Sequence, residues 1–189
     1  NHEISHRLKN TMAMVQAIAT QTLRPVTDRA PVEAFVSRLH ALSKAHEVLL
    51  NHDWSSARMM TVIDSVLRQL SLPDRYRLSG SDLEIGPRTA LSLGLLMHEL
   101  GTNALKYGAW SSDAGKVIVT WRVEPVGGDS TLVVEWDEQD GPPVVLPSGK
   151  GFGSKLIRMG LLGTGGVEIN YDPDGLRVTM QALVSQLGQ

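Results

Sequence analysis

The chain contains no cysteine, and among its 189 residues it has few aromatic side chains, little net charge and no long apolar run. Without thiols it can form no disulfide, thiolate nucleophile or cysteine-ligated metal centre. A net charge of −2 gives no reason to expect nucleic acid or a membrane surface as a partner. No run approaches the roughly 20 apolar residues of a transmembrane helix. These absences, with 42% apolar and 20% charged residues, are typical of a soluble globular protein, which we expect in the cytoplasm.

Two heptad patterns fill the first 50 residues and predict an antiparallel helical hairpin over residues 1–52. Pro25 ends the first helix, and Pro31 lies near the first turn of the second. A lone hairpin buries one face of each helix, so we expect either a homodimeric four-helix bundle or docking of the hairpin on its own domain. The predicted seams consist of Ile4, Leu8, Thr11, Val15, Ile18 and Thr22, and of Phe35, Leu39, Leu42, His46 and Leu49.

The remaining residues, 53–189, alternate between helical and strand patterns and predict a second domain. Helices are predicted near 59–70, 91–106 and 156–162, and strands near 76–78, 83–85, 117–123, 132–136, 167–171 and 176–183. A loop rich in glycine and proline lies between residues 139 and 151. Helices with an antiparallel-rich sheet in this order predict an α/β two-layer sandwich, which makes the whole chain α+β.

The helix near residues 91–106 carries three polar side chains on one face. Glu99, Asn103 and Lys106 recur at i, i+4 and i+7. An amide oxygen can hold Mg²⁺, an ammonium can meet phosphate, and a carboxylate can orient or activate a nucleophile. The same spacing also fits an ordinary amphipathic helix with a solvated polar stripe. The apolar positions Leu93, Leu96, Leu100 and Ala104 are expected to pack on the sheet.

These residues lie in a segment that resembles the N box of sensor histidine kinases, specifically of the HWE family. That family is named for a His in the N box and a Trp-x-Glu downstream, here His98 and Trp136-Asp137-Glu138. Further motifs follow in the family's order and nearly end to end. They are His2–Asn10, similar to the phosphoacceptor box, then Asp140-Gly141-Pro142-Pro143, and finally Gly151-Phe152-Gly153-Ser154 before a short helix.

The resemblance implies that His6 is the phosphorylated residue. A neutral imidazole nitrogen is nucleophilic, and an ordinary histidine is largely neutral at pH 7. His6 lies between Ile4 and Leu8 of the heptad pattern, so we expect it to be exposed. Lys9 and Asn10 lie one turn further on and are expected to help hold phosphate.

The resemblance also implies an ATP site with Mg²⁺. Asn103 would bind the metal, and Glu99 would polarise the incoming His6 or position its attack, with His98 and Trp136 in supporting roles. ATP-binding residues are expected on the N box, in the loop after Trp136 and at the glycine-rich helix start. They are Asn103, Lys106, Tyr107, Gly108, Glu138, Asp140, Gly141, Gly151, Phe152, Gly153 and Ser154.

The adenine loop departs from the common Asp-x-Gly-x-Gly pattern of histidine kinases. This chain has Glu138-Gln139-Asp140-Gly141-Pro142-Pro143. Either Glu138 or Asp140 could accept the amino proton of adenine, and the sequence does not choose between them.

The resemblance as a whole implies a Bergerat-type (GHKL) ATP-binding fold and an ATP-dependent protein-histidine kinase. Its partner would be the receiver domain of a response regulator. We expect the chain to be a fragment whose upstream sensory domain is missing. Two alternatives are a non-enzymatic histidine phosphotransfer protein with a degenerate ATP-binding domain and a Bergerat-fold serine kinase of the anti-sigma type.

Overall fold

Two long helices begin the fold, as the heptad patterns predict. The computed structural model describes residues 2–50, 55–145 and 151–188, with side chains from residue 10 onward. Helix α1 spans His2–Thr22 and helix α2 spans Arg29–Leu50. The short connection turns the chain back, so the two helices pack antiparallel.

The predicted seam of α1 is not the face that meets α2. Gln16 instead points inward, where its amide donates to Ser43 Oγ over 3.2 Å and lies 3.4 Å from His40 Nδ1. Val15 and Ile18 are 40% and 57% exposed. The side of α1 that carries Gln16 therefore faces α2, which leaves Val15 and Ile18 of the predicted seam toward solvent.

Helix α2 docks on the chain's own second half through its apolar side. Its buried residues face α3 (Met59–Leu67) and α4 (Pro87–Lys106). The two helices α2 and α4 cross at Ala45 and Gly94, where a Cβ added to the glycine would lie 3.0 Å from the Ala45 Cβ. Of the two expected arrangements of the hairpin, docking on its own domain is therefore present within one chain.

The second half of the chain contains a five-stranded mixed sheet and a separate two-stranded ladder. The ladder pairs β1 (Ala57–Arg58) with β3 (Glu84–Ile85). The sheet has the order β2-β4-β5-β7-β6, in which β2 runs parallel to β4 and the other neighbours are antiparallel. Its strands are β2 (Tyr76–Gly80), β4 (Lys116–Val126), β5 (Asp129–Gln139), β6 (Val167–Asp172) and β7 (Gly175–Leu183).

The core lies between this sheet and the helices. The predicted apolar face of α4 is completely buried, and Val119, Val134 and Trp136 of the sheet belong to the same cluster. Each fully buried leucine contributes on the order of 2 kcal/mol. The predicted two-layer sandwich and the α+β class are thus confirmed. None of the helices in the described part of the chain has the length and apolar character needed to cross a bilayer.

The last helix begins earlier than the sequence pattern predicts. Helix α5 spans Phe152–Met159 rather than residues 156–162. The backbone of Gly151, immediately before the helix, is extended. Gly160 ends the helix with a φ of +68°, a conformation that favours glycine. The glycine-rich motif therefore belongs to the helix start itself.

Replacing Ala45 with leucine is expected to lower the free energy of unfolding by about 1–3 kcal/mol, because the added volume has no room against Gly94. Lys44→Leu is the matched control, since Lys44 is exposed one position earlier on α2. Chemical unfolding of both variants measures the difference. Equal stability of the two would mean that the packing of α2 on α4 is not as tight as described.

Candidate functional site

A cavity of about 870 Å³ opens between α2, α4, α5 and the sheet. Its volume is within the usual range for small-molecule sites. Most of the residues that the sequence predicts for nucleotide binding line it, together with the predicted catalytic Glu99 and the supporting His98. The predicted nucleotide-binding residues on the wall are Asn103, Lys106, Tyr107, Gly108, Glu138, Gly151, Phe152, Gly153 and Ser154.

The three polar residues of α4 share the cavity wall but differ in exposure. Glu99 is 3% exposed, Asn103 is half-buried and Lys106 is exposed. The helix thus presents a shielded carboxylate at one level and an accessible cation two turns later. This gradient suits a ligand whose reacting end must be kept from water while its remainder is solvated.

Glu99 is held by an arginine from the hairpin. Arg38 of α2 donates from Nε to Oε1 over 2.6 Å and from Nη2 to Oε2 over 2.9 Å. Burial acts to raise the pKa of Glu99, but His98 and Arg38 outweigh it and lower the pKa to about 2. We assign most of this lowering to Arg38, because His98 Nδ1 is 3.5 Å from the carboxylate.

His98 links the same two helices at the neighbouring position. Its ring is 6% exposed, and Nε2 lies 2.8 Å from Ser37 Oγ. Successive residues of α2, Ser37 and Arg38, therefore engage successive residues of α4, His98 and Glu99. We call these four residues the α2–α4 clamp.

The glycine-rich start of α5 closes over this clamp. The ring of Phe152 lies 4.7 Å from the Arg38 guanidinium carbon, a cation–π contact. A Cβ on Gly153 would collide with Glu99 Oε2. Glycine at position 153 therefore leaves free the space that the Glu99 carboxylate occupies while Arg38 holds it.

Glu138 forms the opposite end of the cavity. It is 3% exposed, and its carboxylate accepts hydrogen bonds from the Ala109 amide over 2.7 Å and from Trp136 Nε1 over 3.0 Å. Burial raises the pKa of Glu138, and these two donors oppose that effect. A Cβ on Gly108 would collide with Glu138 Oε2, so the N-box glycine makes room for this carboxylate. Trp136 itself is fully buried beneath it.

Asp140 and Gly141 lie outside the cavity wall. Asp140 is exposed on the turn after β5, with a φ of +56°. Gly141 packs against Ala109, where a Cβ would lie 2.6 Å from the alanine Cα. Of the two acidic candidates for adenine, Glu138 is therefore the one that faces the cavity.

The side chains of His6 and Lys9 lie outside the described residues, whereas Asn10 is exposed. The backbone of α1 still gives the level of residue 6 along the hairpin. Because Gln16 lies opposite His40 and Ser43, residue 6 is about 20 Å along the helix axes from the level of Arg38. The structure therefore does not bring residue 6 to the Glu99 end of the cavity.

Sequence reasoning missed Arg38 and Ser37. A signal was present, since Arg38 lies three and seven residues before Ala41 and Ala45 on the buried side of α2. A lone cation on an otherwise apolar face needs an anionic partner. The sequence alone could not identify that partner, which is 61 residues away.

A magnesium site built from protein side chains alone does not exist in the described ranges, where no three His, Asp or Glu residues cluster suitably. Mg²⁺ commonly takes only one or two protein ligands and completes its shell with phosphate oxygens and water. The Asn103 amide on the cavity wall fits that mode.

Comparison with known proteins places this arrangement in a family. The family model described as HWE histidine kinase matches residues 3–82. A blue-light-activated histidine kinase of Brucella anthropi is 42% identical over 185 residues, which cover 95% of this chain and 38% of the relative. Its counterpart in Brucella ovis is 40% identical over 162 residues, covering 83% and 33% respectively. The chain thus spans little more than a third of these relatives.

Solved structures show the same fold. The histidine kinase domain of a blue-light activated histidine kinase from Erythrobacter litoralis superposes with a TM-score of 0.58 at 18% identity, over 97% of this chain and 98% of that one. A longer structure of that protein gives a TM-score of 0.55 at 19% identity, over 94% and 64%. The correspondence includes the hairpin as well as the sandwich.

Proposed function

Because the chain belongs to the HWE histidine kinase family, we propose that it is the ATP-dependent protein-histidine kinase segment of a two-component system. The observation that supports this most is the convergence of Glu99, Asn103, Lys106 and Glu138 on one cavity. The test is incubation with Mg²⁺ and γ-labelled ATP, which should leave acid-labile phosphate on the protein.

In the proposed reaction, a neutral imidazole nitrogen of His6 attacks the γ-phosphorus of ATP. A nitrogen–phosphorus bond forms, the bond to the β,γ-bridging oxygen breaks, and ADP leaves with that oxygen. The proton of the attacking imidazole passes to Glu99. A receiver-domain aspartate then attacks the phosphorus: an oxygen–phosphorus bond forms, the nitrogen–phosphorus bond of His6 breaks, and the departing imidazole takes a proton from solvent. Much of the rate in such transfers comes from positioning and charge neutralisation.

The contact between Arg38 and Glu99 in the α2–α4 clamp has to break before this reaction occurs. A carboxylate with a pKa of about 2 is a weak proton acceptor, and both oxygens of Glu99 are engaged by Arg38. The level of residue 6 is also distant from Glu99. Transfer therefore requires movement of the hairpin or a His6 supplied by a second copy.

Asn103 is the proposed metal ligand and Lys106 a proposed phosphate contact. Mg²⁺, when bound with the nucleotide, neutralises phosphate charge. Lys106 lies one turn after Asn103 on α4 and is exposed. Its ammonium can therefore contact the phosphates without the desolvation cost that a buried charge such as Glu99 carries. Tyr107 is 74% exposed at the cavity mouth and is proposed to cover the nucleotide.

Glu138 is proposed to accept the adenine amino proton. Glu138→Gln should weaken ATP binding by at least about tenfold. The side-chain NH₂ of glutamine would point at the N–H of either Ala109 or Trp136, so that two donors would face each other. Asp140→Asn is the matched control and should bind ATP normally. Calorimetric titration with a non-hydrolysable ATP analogue measures both. A loss confined to the Asp140 variant would reverse the assignment.

The exposed side of α1 is proposed to dock the receiver domain, since the accepting aspartate must come within transfer distance of His6. Gln16 is turned toward α2 and belongs to the hairpin contact rather than to this surface. Changing Ala13 to glutamate should reduce phosphotransfer about tenfold and spare autophosphorylation. Lys44→Glu on α2 is the control, and equal transfer by both proteins would place docking elsewhere.

The two alternative functions, a phosphotransfer protein and a serine kinase of the anti-sigma type, explain fewer of the observed structural features. A phosphotransfer protein with a degenerate ATP-binding domain has no need of a cavity with a shielded carboxylate at each end. A serine kinase of the anti-sigma type has no need of the helical hairpin that the family model covers.

A further inference from the structure

We propose that Arg38 selects nucleoside triphosphates over diphosphates. Its guanidinium releases Glu99 and binds the terminal phosphate instead. This inference rests on the proposed function, in which the cavity binds ATP. It adds a specificity-determining residue supplied by the hairpin, so that the nucleotide site is shared between α2 and the sandwich.

The order of residues along α4 places Arg38 at the phosphate end. Gly108 and Glu138 form one end of the cavity, and Glu99 with Arg38 forms the other. Residues 99–106 span about 10 Å of helix, and Gly108 lies two residues beyond its end. A nucleotide with its base at Glu138 therefore extends past Asn103, and its last phosphate is the one that comes nearest to Arg38.

The chemistry of the guanidinium supports an exchange of partners. Its planar fork binds a carboxylate or a phosphate through the same pair of parallel hydrogen bonds. Arg38 already makes this pair with Glu99, and its side chain is 23% exposed, open to the cavity. A terminal phosphate carries more negative charge than a carboxylate and offers three oxygens, so it can compete for the same donors.

The other cations in the described part of the cavity wall are less suited to this role. Lys106 and Arg158 are both exposed. Arg38 is half-buried and is also fixed against the Phe152 ring. Electrostatic attraction is stronger where water is partly excluded, so Arg38 should discriminate best between nucleotides that differ by one charged group.

The exchange would link recognition of ATP to release of Glu99. With ADP or no nucleotide, Arg38 keeps both carboxylate oxygens engaged. With ATP, the guanidinium turns to the terminal phosphate and the carboxylate becomes available for the imidazole. The hairpin would then lose one of its two polar contacts to α4, leaving Ser37 with His98.

The test compares Glu99→Gln with the double variant Arg38→Gln, Glu99→Gln. Arg38→Gln alone would leave a buried carboxylate unpaired and could unfold the protein, whereas two facing amides can hydrogen-bond to each other. Calorimetric titrations with Mg²⁺ and either a non-hydrolysable ATP analogue or ADP give the affinities. Lys44→Gln, an exposed α2 cation paired with Glu47, is the control.

The Glu99→Gln variant should bind the ATP analogue several-fold tighter than the wild type, since Arg38 no longer has a charged competitor. Adding Arg38→Gln should weaken binding of the ATP analogue at least about tenfold and change ADP binding less than about twofold. Equal losses for both nucleotides, or no loss, would overturn the proposal. Failure of the wild type to bind any nucleotide would instead overturn the proposed function, together with this inference.

Discussion

Replacing His6 with alanine should abolish autophosphorylation while ATP affinity stays within about twofold of the wild type. The imidazole is the only group assigned to form the bond to phosphorus, so its removal leaves no acceptor. The nucleotide cavity should be unaffected, because residue 6 lies about 20 Å along the hairpin from Arg38 at the cavity.

His40→Ala provides a matched control for this variant. His40 is an exposed histidine of the same hairpin that meets Gln16 and is not part of the proposed chemistry. It should keep its autophosphorylation, measured with γ-labelled ATP. Acid-labile phosphate that persists on the His6 variant, or disappears from the His40 variant, would contradict the assignment.

Asn103→Ala and Glu99→Gln should separate nucleotide binding from chemistry. Loss of the Asn103 amide should remove Mg²⁺-dependent nucleotide binding, because its oxygen is the proposed protein ligand of the metal. Glu99→Gln should retain binding but slow phosphorylation about 10²–10⁴-fold, the usual contribution of a proton-transfer residue. Both residues are on one helix, so a general disruption of α4 would affect them alike.

Titration with and without Mg²⁺, followed by single-turnover phosphorylation, measures these two effects. Thr102→Ala is a control on the same helix, since among the described residues its hydroxyl donates to the backbone oxygens of His98 and Glu99 in the preceding turn. Loss of binding on changing Glu99, with binding kept on changing Asn103, would reverse the two roles.

The elements most accessible from the sequence were those with a strong local pattern. Pro25 and the heptads marked the hairpin, and the apolar spacing Leu93, Leu96 and Leu100 predicted the buried face of α4. The turn between β4 and β5 also follows from local sequence, since Gly127 and Gly128 both adopt a positive φ that favours glycine. Local chemistry alone decides each of these features.

Features that depend on distant parts of the chain were not predictable in the same way. The exposure of Val15 and Ile18 follows from the contact of Gln16 with α2, which a heptad count does not show. The preference for Glu138 over Asp140 depends on the Ala109 amide, 29 residues earlier. The partner of Arg38 is Glu99 on α4, 61 residues later in the sequence.

The α2–α4 clamp connects the helical hairpin to the cavity wall of the second half of the chain. The hairpin is held by apolar packing at Ala45 and Gly94 and by the polar pairs at Ser37 and Arg38. Only the polar pairs lie on the cavity wall. A ligand in the cavity can therefore act on the hairpin without disturbing the apolar contact.

Phosphate from ATP bound in this cavity is expected to be transferred to His6. The most direct measurement is mass-spectrometric mapping of the phosphorylated site after incubation with Mg²⁺ and ATP, with quenching and digestion at alkaline pH to preserve phosphohistidine. We expect phosphate on His6, and we expect brief acid treatment to remove it. Acid-stable phosphate on a serine or threonine, or bound nucleotide with no phosphorylation at all, would contradict it.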